Sequence, residues 1–169
     1  MKKIIAVMAV LITLFSMGNV SASAAAKVAA LMYHSVTTDS SRWNDYTISP
    51  EQLDADIQYF KSCGYIPMTA TELATANMAD IDNRKILLLT FDDGYYNNYK
   101  YVFPLLKKYN AKAVISPVAK FSEDFTATGE ENANYGHLLK KNIKEMYVSG
   151  LVEFQNHSYN MHTLTPRKG

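Results

Sequence analysis

From residue 28 onward, short apolar runs alternate with amphipathic stretches. VAALMYHSV (Val28 to Val36), KILLLTF (85 to 91), AKAVISPVAKF (Ala111 to Phe121) and LVEF (151 to 154) read as strands, with YIPM as a short extended piece. Residues 85 to 91 are the clearest of these. They are apolar without alternation, as in a strand covered on both faces. Pro117 should end or bulge the strand that contains it. Between the strands lie helical signals. Ser49-Pro50-Glu51-Gln52 combines an N-cap, a first-turn proline and a capping box, after which Leu53, Ile57 and Phe60 share a face until Gly64. Thr69-Ala70-Thr71-Glu72 is a second capping box, opening a short helix through about Asn77. A third helix runs from about Asn98 to Tyr109, with Pro104 forcing a kink or a new turn. The fourth runs from about His137 to Ser149, with Leu139, Ile143 and Met146 inward and Gly150 as its stop. TTDSSRWNDYT and SEDFTATGEENANYG read as polar loops.

This strand-helix alternation implies parallel strands joined by right-handed crossovers, hence an α/β fold. In such folds chemistry gathers where strands end. Three polar clusters occupy those positions here: His34, the pair Asp92-Asp93, and His157.

The first residues do not belong to the fold. Lys2 and Lys3, the apolar run Ile4 to Phe15 and the A-x-A site Ala22-Ser23-Ala24 read as a secretory signal peptide over residues 1–24. The apolar run is too short to span a bilayer, so the mature protein is expected to be secreted, extracellular or attached to a bacterial cell wall, with no stable membrane span. Loss of Lys2 and Lys3 leaves 15 basic against 16 acidic residues. A balance that near neutrality gives no electrostatic footprint for nucleic acid. The remaining length suits a single domain, over residues 27–169. Cys63 stands alone, which rules out an intramolecular disulfide, and reads as a small buried hydrophobe.

Adjacent carboxylates at the end of an apolar strand repel each other and are costly to bury. Asp-Gly after a strand is often only a turn, and His137 reads as a surface or capping residue. Taken together, however, a carboxylate and two imidazoles on neighbouring strand ends suit Zn²⁺ or a similar divalent ion, with a coordination position left for water. A second carboxylate beside the first could then serve as a base.

TFDDG (Thr90 to Gly94) and HSYNMH (His157 to His162) resemble the first two motifs of the NodB-type polysaccharide deacetylases. LMYHSV and GLVEFQNHSYNMH resemble the branch acting on poly-N-acetylglucosamine and related exopolysaccharides. The resemblance covers residues 28 to 169. It implies hydrolysis of N-acetyl groups on amino-sugar polymers such as poly-N-acetylglucosamine, peptidoglycan or chitin-like glycans. It also implies Asp92 as general base, and Asp93, His157 and His162 as ligands of a divalent metal, Zn²⁺ foremost with Co²⁺ or Ni²⁺ as alternatives. Ser158, His34 and Tyr95 are the positioning or substrate-side candidates, and a backbone N–H of Tyr95 or Tyr96 is a candidate oxyanion donor. The family's later motifs, including the one expected to carry the general acid, have no counterpart in these residues. The expected architecture is therefore an incomplete distorted (β/α) barrel, truncated after about four to five strands. Two competing readings remain: a catalytically incompetent fragment that keeps metal or glycan binding, and an O-acetyl esterase on cell-wall or plant glycan.

Overall fold

The computed structural model describes residues 26–161. The signal segment 1–24 and His162 lie outside the described residues. Among the described residues no helix is long and apolar enough to cross a membrane.

The main sheet is parallel throughout. Strand β1 (Lys27–Tyr33) pairs with β5 (Lys85–Asp93), β5 with β6 (Ala113–Pro117), and β6 with β7 (Val152–Phe154). Strand β4 (Tyr65–Pro67) pairs with the first residues of β5, and β6 with its last four. The strand read from the apolar run at 85 to 91 is thus the middle of the sheet. Ile86, Leu87, Leu89 and Phe91 are buried, which accounts for its lack of alternation.

Helix α1 (Pro50–Ser62) begins where the capping signal places it, with Gln52 N–H donating to Ser49 Oγ at 3.1 Å. It buries Leu53 and Ile57 against Leu87, Leu89 and Phe103 in one core. Cys63 caps its C-terminus and is partly exposed, where the sequence suggested burial. Thr69 and Glu72 form the expected reciprocal capping box of α2 (Ala70–Thr75), and a single turn, α3 (Met78–Ile81), follows. Pro104 marks a change of winding: a π-helical turn at Asn98–Val102 hands over to α4 (Phe103–Tyr109).

Three boundaries differ from the sequence reading. The first strand breaks at His34, and its remainder, β2 (Ser35–Val36), pairs with β3 (Thr47–Ile48) inside the segment read as a loop. Strand β6 stops at Pro117, and α5 (Ala119–Thr128) occupies what read as strand end and polar loop. Ser122, Glu123, Asp124, Thr126 and Thr128 hide that helix, because Phe121 and Phe125 are its only large apolar residues. Helix α6 (Lys140–Val148) starts three residues later than expected. Residues 136–138 are already engaged: Tyr96 N–H donates to the Gly136 carbonyl at 2.7 Å, and Leu138 N–H to that of Gly94 at 2.8 Å.

Candidate active site

Asp92 and Asp93 are the last residues of β5, opposite Ser116 and Pro117 of β6. Successive side chains on a regular strand face opposite sides. Asp93 breaks that alternation. Its φ of 66° is left-handed, uncommon for a residue with a Cβ, and Gly94 continues the bend with its own φ of 66°. Both carboxylates consequently reach one imidazole. His157 Nε2 lies 3.7 Å from Asp93 Oδ1, and its Nδ1 lies 4.0 Å from Asp92 Oδ1.

His157 is held beside β6 just past β7. Gln155 N–H donates to the Ile115 carbonyl at 3.0 Å, and His157 N–H to the Pro117 carbonyl at 3.3 Å. Ser158 is buried and anchors the following turn. Its carbonyl accepts from Ala119 N–H at 3.0 Å, and its Oγ accepts from Met161 N–H at 3.2 Å. The hydroxyl therefore fixes the turn that leads toward His162.

His34 occupies the break between β1 and β2. Its carbonyl accepts from Asn98 Nδ2 at 3.0 Å, and its ring meets Tyr46 edge-on at 5.2 Å. His34, Asn44, Tyr46, Asp93 and Tyr95 line one cavity of about 370 Å³. A larger cavity, about 700 Å³, opens at the other end of the sheet among Tyr65, Arg84 and Lys112 and touches none of these residues.

Beneath Asp93 lies a residue misread from the sequence. His137 is buried, where the sequence suggested a surface or capping role. Its ring stacks on Tyr95 at 4.9 Å and packs against Phe121 and Phe125 at 4.6 and 5.6 Å. Its Nδ1 is 3.1 Å from the Asp93 carbonyl. A carbonyl only accepts, so Nδ1 carries the hydrogen. Burial pulls this imidazole below its ordinary pKa, against the opposing pull of Asp93. Burial likewise pushes the Tyr95 hydroxyl up, and the negative charge of Asp93 adds to the shift.

Asn97 and Asn98, to which the sequence reading gave no role, tie the His34 segment to this floor. Asn97 Oδ1 accepts from Val36 N–H at 3.2 Å, while its Nδ2 donates to Ser35 Oγ at 2.9 Å and to the Ala133 carbonyl at 3.0 Å. They follow Tyr95 and Tyr96 directly, but nothing in the local sequence says that they face inward.

The donor set fits a divalent cation. The 3.7 Å between Asp93 Oδ1 and His157 Nε2 exceeds a hydrogen bond. It lies near the roughly 3.4 Å that separates two ligands of one tetrahedral ion with bonds of about 2.1 Å. Among the described residues no three His, Cys, Asp or Glu side chains are arranged to hold a metal ion together, and the third ligand implied by the resemblance, His162, lies outside them.

The family model for polysaccharide deacetylases matches residues 79–168. The chain is 30% identical over 132 residues to the poly-beta-1,6-N-acetyl-D-glucosamine N-deacetylase of Staphylococcus aureus, covering 76% of this chain and 42% of that protein. It resembles the solved structure of a de-N-acetylase from Aggregatibacter actinomycetemcomitans, with a TM-score of 0.67 and 29% identity over 80% of this chain and 56% of that one. The structure of IcaB from Ammonifex degensii matches with a TM-score of 0.65 and 26% identity, over 82% of this chain and 57% of that one. The chain spans about half the length of the curated relatives it matches. Its parallel α/β sheet corresponds to a partial barrel of that architecture.

Proposed function

Because the chain belongs to the polysaccharide deacetylase family, we propose that its site hydrolyses N-acetyl groups on a polymeric amino sugar. The observation that carries this reading is the convergence of Asp92 and Asp93 on the two ring nitrogens of His157, at 4.0 and 3.7 Å. Asp93 and His157, with His162, would hold a divalent cation, Zn²⁺ foremost, which would supply polarisation of the acetamide carbonyl and acidification of a water molecule. Asp92, adjacent to Asp93 in the chain, takes the proton of the attacking water. The C–N bond then breaks, releasing acetate and a free amine.

The leaving nitrogen needs a proton. The donor of that proton belongs to the motifs that have no counterpart in these residues, and His34, which lines the same cavity as Asp93 from a different strand end, is a substrate-side residue. Tyr46, 63% exposed on the cavity wall, offers a ring face to a neighbouring sugar. Support for an N-acetylglucosamine polymer comes from the name of the Staphylococcus aureus relative. Support for secretion of a mature domain over residues 27–169 comes from the signal-like residues 1–24.

Acetate release from N-acetylglucosamine oligomers by zinc-loaded protein, abolished by a chelator and restored by zinc, tests the proposal. Zinc binding with release only from O-acetylated glycans identifies an esterase instead. Zinc binding without any release identifies a glycan-binding fragment.

A further inference from the structure

We propose that His137 is a positioning residue that aims the Asp93 carboxylate at the cation site. The inference rests on the functional reading of that site. Asp93 departs from extended backbone, and its φ of 66° is what swings its side chain onto the His157 side of β5. That conformation is disfavoured for a residue with a Cβ and has to be held by its surroundings.

Two donors hold the Asp93 carbonyl: Val118 N–H at 3.3 Å and His137 Nδ1 at 3.1 Å. The imidazole cannot drift, because Tyr95, Phe121 and Phe125 enclose it. Tyr95, stacked on His137, lines the same cavity as Asp93. The Tyr95–His137 stack thus holds the ring donor against the Asp93 carbonyl. The bonds Tyr96 N–Gly136 O and Leu138 N–Gly94 O, 2.7 and 2.8 Å, lace the two segments together and set the pair's height under the site. Without the His137 bond, the peptide relaxes toward extended backbone and the carboxylate turns away from His157.

Zinc affinity is the direct readout, measured on the full chain by competition with a chromophoric chelator. Cobalt absorption spectra report ligand geometry in parallel. His137→Phe keeps an enclosed aromatic ring and removes the donor. His137→Asn places an amide N–H where Nδ1 stood. The expected result is zinc binding weakened about 10- to 100-fold by Phe, with an altered cobalt spectrum, and largely recovered by Asn. The cation-free melting midpoint separates this from loss of the fold. Equal zinc affinity and unchanged cobalt spectra for His137→Phe and wild type overturn the positioning role alone. Wild-type protein that binds no zinc overturns the site itself, and this role with it. If His137→Phe fails to fold, His137→Asn against His137→Ala decides: affinity no tighter for Asn overturns the role.

Discussion

A Cβ added to Gly94 would stand 2.5 Å from the Cβ of Pro117 and 2.8 Å from its Cα. The turn that follows the two aspartates is therefore packed against the end of the neighbouring strand with no room for a side chain. Its φ of 66° adds a conformational demand that only glycine meets without strain. Gly94→Ala should destabilise the protein by about 2–5 kcal/mol, combining left-handed strain with overpacking. Urea unfolding of the variant measures it, and a loss under 1 kcal/mol would show that the turn can shift.

The two adjacent carboxylates have different tasks. Asp92→Asn should lower acetate release by about 10²- to 10⁴-fold while zinc affinity stays within a few-fold of wild type. Asp93→Asn should lower zinc affinity itself. Calorimetric zinc titration of both variants checks the division, which fails if they lose zinc equally.

His34→Gln should reduce turnover without changing zinc affinity, since His34 reaches the cavity from β1 and not from the β5–β7 side. A variant as fast as wild type on N-acetylglucosamine oligomers would remove His34 from the substrate side of the reaction.

The Asn97 side chain bonds Val36, Ser35 and Ala133, from two separate segments. Asn97→Ala leaves those groups without their bonds in a buried place. A loss of about 1–3 kcal/mol is expected. Amide hydrogen exchange should localise the loosening to residues 34–36.

One ion pair sets an acid-sensitive contribution. The Lys108 ammonium, with bonds from Tyr109 and Gln58 and against a smaller effect of burial, holds the Asp54 carboxyl below its ordinary value. A depressed carboxyl adds stability above its unfolded pKa of about 3.9, and that stability is lost as pH falls through the folded value. The pair is solvent-exposed on the Lys108 side, so the effect should stay below about 1 kcal/mol and shrink in salt. Melting curves from pH 6 to pH 2 should show a gentler decline for Asp54→Asn.

Much of the fold was legible because its signals are local. The caps at Ser49 and Thr69 need only three residues to declare themselves, and the uninterrupted apolar run at 85 to 91 shows a strand buried on both faces. Helix α5 was hidden because its polar residues carry no helical stripe. Within the candidate site, the spacing of Asp92, Asp93 and His157 at strand ends could be read directly. The left-handed turn at Asp93 could not, since it depends on Val118 and on His137, 44 residues away. The misreading of His137 has the same origin: its partners lie at the end of β5 and in α5, so no window of sequence contains them.

Strand β1 is joined along one side only among the described residues, and Val28 and Met32, 49% and 63% exposed, face solvent from it. Lys27 is its single charge. Such a strand invites another copy to dock along its open side. Handling of the protein will therefore be governed less by its site than by this face: clear in dilute buffer, it should cloud on concentration, and Met32→Lys should keep it in solution without touching any residue of the chemistry.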